Sequence, residues 1–214
     1  MSLDKIILGL LMLKRLTVYE IRGIIRKNFK AMCSDSLGSI QAAIKRLLAE
    51  QLITCQEYVE KSVNKKQYSI TAEGRKVFSG WVHTPAEISN PKNIELGKLL
   101  FMGLVPIENR LSLVVESIAL MEKELDELRA IQQSAAAQQE GEDQMVAYWN
   151  NDAEYAQGVR DATETAKIEE SARDIGDFQM LALQYGIDVT RFQIEWYRKL
   201  ERRIIEATQK EKTK

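Results

Sequence analysis

Between Leu16 and Ile21 the chain reads LTVYEI, and this short stretch dictates where a helix begins. Thr17 is placed as an N-cap, Glu20 stands three residues on to close a capping box, and Leu16 and Ile21 are spaced as a hydrophobic staple. The punctuation continues on both sides. Ser2 caps a first helix, DKIILGLLMLK, which is apolar nearly all round and therefore buried. The second helix runs to about Phe29. After KAMCSD, Ser34 or Ser36 caps a third, whose residues Leu37, Ile40, Ile44, Leu47 and Leu48 recur at helical spacing. Leu52 to Lys61 reads as a strand, SVNKK as a turn and QYSI as the returning strand, and Thr71 caps a closing helix, AEGRKVFSGWV. Three helices, a two-stranded hairpin and a closing helix are predicted to form a winged helix-turn-helix.

The third helix raises a question of its own. A solvated helix face is normally charged along its length, yet here it carries Gly38, Ala42 and Ala49 around Lys45. Small side chains let a backbone approach something large. The DNA major groove, about 12 Å wide, admits a helix whose outer face is slim. On this reading Ser36, Gly38, Ser39, Gln41, Ala42, Lys45 and Arg46 form the DNA-facing set. Ser39 and Gln41 are the expected base readers, and Lys45 and Arg46 serve bases or phosphates. Lys61, Asn64, Lys65 and Lys66 cluster at the hairpin tip, within reach of the phosphate backbone, and Arg22, Arg26 and Lys27 are secondary candidates for the same grip.

Charge divides the chain in the same way. Residues 1–83 hold 14 Lys and Arg against 7 Asp and Glu, a balance of +7, whereas residues 84–214 hold 16 against 24, a balance of -8. A basic module that meets a polyanion and an acidic module with another task are expected. His83 to Lys92, HTPAEISNPK, contains two of the three prolines and no helical periodicity. The expected organisation is a DNA-binding domain at 1–83, a linker at 84–92 and a helical domain at 93–214.

The motifs ILGLLMLKRLTVYEI (7–21), LGSIQAAIKRLLAEQLI (37–53) and KQYSITAEGRKVF (66–78) together resemble the PadR family of bacterial transcriptional regulators. That family typically reads ILGLL, a Thr-Gly-Tyr-Glu-Leu helix start, Gly-x-Ile-Tyr-Pro-x-Leu-x-x-Leu, Gly-Leu-Ile and Tyr-x-Ile-Thr-x-x-Gly. The resemblance covers about the first 80 residues, in order. It departs at Val18, where glycine is usual, at Gln41 and Ala42, which replace Tyr-Pro, and at Gln51, which replaces the glycine before Leu-Ile. The resemblance implies a DNA-binding regulator, commonly a repressor acting by occlusion. With Tyr-Pro missing from the groove end of the third helix, the family's sequence preference does not carry over.

In the acidic half, Ile107, Leu111, Val114, Ile118, Met121, Leu125 and Leu128 recur at alternating spacings of 4 and 3, a coiled-coil seam that needs a partner. The helix is predicted to bend or end around Gly141. A polar, Ala- and Glu-rich helical stretch follows, with Gly186 ending one helix and Val189, Phe192, Trp196, Leu200 and Ile204 striping the last. This ending is similar to the longer-tailed PadR subfamily, in which the C-terminal helices dimerise. The expectation is a mainly α homodimer, its winged helices reading a palindromic operator in double-stranded DNA through successive major grooves about 34 Å apart. A monomeric bundle is the plainer alternative.

Trp81, Trp149 and Trp196 are expected in the core; lining a pocket for a small apolar or aromatic effector is the second reading. Such an effector would release DNA by tilting the dimer helices. Two cysteines, Cys33 and Cys55, and a single histidine, His83, leave nothing to build a zinc site or a disulfide framework, and no metal or cofactor is expected. With no Gly-rich phosphate loop and with Glu122, Glu124 and Asp126 reading as a solvated face, an enzyme is not expected either. No apolar run approaches the roughly 20 residues of a membrane span, and Ile6 to Leu13 is no signal peptide, so a cytoplasmic location is expected. The rival reading of the N-terminal module is a protein-docking winged helix that does not bind DNA specifically.

Overall fold

A computed structural model describes residues 2–29, 33–60, 63–85, 96–136 and 140–212. It divides into two compact units, Met1–Ala86 with Glu140–Ile175, and Glu87–Gln139 with Gly176–Lys214.

In the first unit the helices are α1 (Ser2–Leu13), α2 (Val18–Ile24), α3 (Leu37–Ala49) and α4 (Ala72–Val82), with a two-residue strand β1 (Leu16–Thr17) and the hairpin β2 (Ile53–Glu60) and β3 (Val63–Ile70). The antiparallel sheet has the order β1-β3-β2, in a register that sets Leu16 against Tyr68 and Ile53 against Ile70. This is the expected winged helix. Thr17 and Glu20 form the capping box, Ser36 accepts the Ser39 N–H at 3.2 Å, and Thr71 accepts the Gly74 N–H at 3.0 Å. Each side chain satisfies a helix-end donor that would otherwise be orphaned. Beneath the sheet lies one apolar core in which Ile7, Leu11, Leu16, Ile21, Ile40, Leu47 and Ile70 meet. The second helix does reach Phe29, but its last five residues, Ile25–Phe29, are wound as a π-helix.

Two local features depart from the sequence reading. The returning strand begins earlier than expected: Asn64, Lys65 and Lys66, read as turn, are β3 residues paired with Val59, Tyr58 and Glu57. Alternating β-branched, aromatic and long side chains extend the ladder where the lysines alone suggested a loop. At the end of α3, Gln51 adopts a left-handed conformation with φ 57°. The Leu52 N–H bonds the Leu47 carbonyl at 2.9 Å and the Gln51 N–H the Leu48 carbonyl at 3.0 Å, a Schellman motif with Leu47 and Leu52 in the core. This is the position where the resembled family carries glycine, and a side chain there is strained. Gln51→Gly is therefore expected to stabilise the protein by about 0.5–1 kcal/mol, read as a Tm higher by roughly 2–4 °C. An unchanged or lower Tm would contradict the assignment.

The same unit includes α7 (Glu140–Asn150), α8 (Ala153–Thr163) and the start of α9 (Ile168–Lys212). Residues 140–175, which the sequence assigns to the C-terminal domain, thus pack with the winged helix. The reason is a second core in which Trp149, Tyr155, Val159, Ile168 and Ala172 are buried with Leu13 against them. The Trp149 indole N–H donates to the Leu13 carbonyl at 2.9 Å. Arg15 pairs with Asp152 and, at 2.8 Å, with Glu154, its guanidinium lying 4.8 Å from the centre of the Tyr155 ring.

In the second unit the short α5 (Leu96–Leu100) and a 3₁₀ turn (Met102–Leu104) precede α6 (Ile107–Ala136), which packs on the remainder of α9. Helix α6 is described as far as Ala136 and α7 begins at Glu140, so Gly141 lies in the first turn of α7 and residues 137–139 lie outside the described ones. Gly186 does not end a helix: α9 runs through it, and its bare backbone sits 3.8 Å, measured from a notional Cβ, from the Leu128 side chain. The α6 seam is present, with Val114, Ile118 and Leu125 buried and Met121 and Leu128 packed beside them, but the chain's own Ile187, Ile194, Leu200 and Ile204 cover it. Ile107 and Leu111 are half-buried. The expected α9 stripe splits: Leu200 and Ile204 join this core, whereas Phe192 and Trp196 turn away from it. Among the described residues, no helix is long and apolar enough to cross a membrane.

Candidate nucleic-acid interface

α3 buries Ile40, Ala43, Ile44 and Leu47 and turns Gly38, Gln41, Ala42, Lys45, Arg46 and Ala49 outward. The slim face is therefore external. A Cβ added at Gly38 would meet nothing within 4 Å, so the fold itself does not demand a small residue there.

The polar residues around it are not equivalent. Ser36 is occupied as the α3 cap, and its hydroxyl donates to the Ser39 hydroxyl at 2.8 Å, so Ser39 is tied to the cap rather than presented outward. Arg46 holds Asp4 of α1 through two nitrogens, Nη2 to Oδ1 at 2.6 Å and Nε to Oδ2 at 3.3 Å. Hydrogen bonding to Asp4, with that carboxylate's charge, raises the guanidinium pKa above its ordinary value. Gln41 and Lys45 are exposed on the outer face. On the wing, Lys66 Nζ lies 2.8 Å from Glu57 Oε1; this bond holds the Glu57 carboxyl below its usual range and pushes the Lys66 ammonium up. Asn64 and Lys65 are exposed, and Lys61 lies outside the described residues. Of the secondary candidates, Arg22 donates to the Asp35 carbonyl at 3.1 Å, bracing the connection before α3, while Arg26 and Lys27 are exposed.

An open groove of about 750 Å³ joins these pieces. Its walls are the first turn of α2 (Thr17 to Glu20), Gln41 of α3, and Tyr58, Lys65, Lys66 and Tyr68 of the wing. Sequence reasoning found Gln41 and the lysines but missed Tyr19 and Tyr58. The available signal was an aromatic directly inside a capping box, where the first helical turn faces outward.

The tryptophans separate into core and surface. Trp149 is fully buried, whereas Trp81 and Trp196 are 48% and 42% exposed, each against a neighbour of its own helix, Phe78 and Tyr197. A second hollow of about 440 Å³, in the other unit, is walled by Glu122, Asp126, Arg129, Arg191, Glu195 and Arg198 over Leu125 and Ile194, without a tryptophan. His83 donates from Nδ1 to the Ser79 carbonyl at 2.8 Å, and no group of three or more metal-binding side chains occurs among the described residues.

The chain resembles solved structures of bacterial regulators. Against Bacillus subtilis PadR in complex with operator DNA the TM-score is 0.68, with 18% identity over 94% of this chain and 97% of that one. PadR in complex with p-coumaric acid gives 0.60, at 18% identity over 95% and 99%. The Vibrio cholerae virulence activator AphA gives 0.62, at 17% identity over 96% and 99%. At such identities the likeness is one of fold. No curated protein matches the chain. Residues 91–204 match the family described as virulence activator alpha C-term, just over half of the sequence. Because that match spans more than half of the sequence, the chain belongs to the virulence activator alpha C-term family, and its winged helix shares the fold of PadR and AphA.

Proposed function

We propose that the protein is a homodimeric transcriptional repressor whose two α3 helices enter successive major grooves of a palindromic operator while the wings touch phosphates. The observation that carries this reading is the outward face of α3, small at Gly38, where a Cβ would meet nothing within 4 Å, and at the exposed Ala42, beside a groove holding Gln41, Lys65 and Lys66. A slim helix flanked by amide and ammonium groups suits a base-pair edge and its bordering phosphates. The likeness to PadR bound to operator DNA supports it.

Dimerisation rests on α9. Phe178, Leu181, Tyr185, Phe192 and Trp196 recur at spacings of 3, 4, 7 and 4 and are all exposed, so they share one helical face that the chain's own α6 does not cover. A second copy of that stripe is its proposed cover. The seam residues of α6 support the dimer from inside the unit by fixing α9, not by meeting the partner. Release by a small aromatic effector is the finest part of the reading and draws on the likeness to PadR bound to p-coumaric acid. Such a regulator acts in the cytoplasm.

The test is a titration with the duplex upstream of the protein's own coding region at two salt concentrations. Gln41→Ala is expected to change which sequence is preferred, by about 1–3 kcal/mol at the base pair it reads. Lys65→Ala is expected to weaken all sequences alike and lower the log-log salt slope by about 1. A chain that is monomeric at working concentration, or that ignores every duplex at low ionic strength, would overturn the reading in favour of a protein-docking winged helix.

A further inference from the structure

Tyr19 is 84% exposed, an unusual place for a large aromatic that contributes nothing to the core. Its backbone, by contrast, is held on both sides. Thr17 N–H and Oγ1 donate to Glu20 Oε2 at 2.7 and 2.8 Å, the Glu20 N–H returns to Thr17 Oγ1 at 3.2 Å, and β1 pairs with β3 immediately before. A phenol on a fixed helical turn has only two side-chain torsions to lose on contact, so a rigid, amphipathic finger is presented at little entropic cost. The ring lines the same groove as Gln41 and the wing residues Tyr58, Lys65 and Lys66. Two charges in that groove are already engaged at home: Glu20 in the cap and Lys66 with Glu57.

We infer that Tyr19, with Tyr58 lining the same groove, seats one sugar-phosphate strand of duplex DNA beside α3, the Tyr19 hydroxyl donating to a phosphate oxygen. This rests on the DNA-binding reading above and adds to it a residue that sets the docking register without reading sequence. A hydrogen bond from a phenol positions the backbone but displaces no condensed cation, which separates its effect from that of a lysine.

Full-length protein and its Tyr19→Phe variant are titrated with the duplex upstream of the protein's coding region and with a shuffled duplex of equal length, each at two salt concentrations. The variant is expected to bind both duplexes about three- to tenfold more weakly, with the salt slope and Tm of the parent. Binding equal to the parent's overturns the inference alone. So does a loss confined to one duplex, which would make Tyr19 a base reader, or a loss accompanied by a shallower slope or a lower Tm. A parent that binds neither duplex defeats the DNA-binding reading itself, and this inference with it.

Discussion

Gly74→Ala is expected to lower the stability of the winged helix by about 3 kcal/mol or more. A Cβ at this position would lie 2.1 Å from the Leu52 carbonyl oxygen and 2.8 Å from Ile70 Cγ1. The first of these is backbone, fixed by the Schellman turn that closes α3 and by the Thr71 N–H, which donates to the same oxygen at 3.0 Å. Relief would require α4 to move off the sheet, which would break the Thr71 bonds to the Gln51 and Leu52 carbonyls and uncover Ile70. The measurement is the midpoint of the first urea transition, with the denaturant slope checked for change. A midpoint within about 0.5 kcal/mol of the parent, the range of ordinary surface substitutions, would show that α4 is free to shift.

The second large effect is expected at Trp149. Trp149→Ala should cost about 3–5 kcal/mol, because the indole is fully buried and its N–H satisfies the Leu13 carbonyl. Truncation leaves both a cavity between α1, α7 and α8 and an unpaired carbonyl. Trp149→Phe keeps most of the volume and isolates the hydrogen bond, so its cost should be nearer 1–2 kcal/mol. Thermal melting reads both, and limited proteolysis within residues 140–175 should rise in the alanine variant first. If Trp149→Ala melts with the parent, the second core does not hold α7 and α8 in place.

The elements legible in the sequence were those whose cause is local. Thr17, Ser36 and Thr71 cap the helices they were expected to cap, because a cap depends on a side chain and an N–H two or three residues away. The outward set on α3 followed from 3.6-residue periodicity for the same reason. Periodicity could show that α6 has a face to be covered, but a heptad does not state whose helix covers it; the answer, α9 of the same chain, depends on contacts such as Gln132 to Gln184, 52 residues apart. Trp149 and Tyr155 lie in a stretch whose composition is polar, and two aromatics anchor it to α1 where the average hydrophobicity gives no hint. Gly186 reads as a helix end from its residue type alone, yet α9 runs through it, and a Cβ there would make only an ordinary contact with Leu128. In the candidate interface, the exposed positions of Arg46 and Lys66 were legible, but their pairing with Asp4 and Glu57 was not, since α1 and the opposite strand supply the carboxylates.

Those two pairs change what the basic character of residues 1–83 can deliver. A surface that already carries its own anions has less to gain from liberating the small ions clustered along a polyelectrolyte, so attraction at a distance is blunted and the entropy won on contact is smaller. Discrimination then falls to close-range terms: to the base edge that Gln41 meets, and to whether a narrow rod and its rigid neighbours match the contour they meet. Such a protein would sample many stretches of chromosome loosely and dwell only where the shape is right.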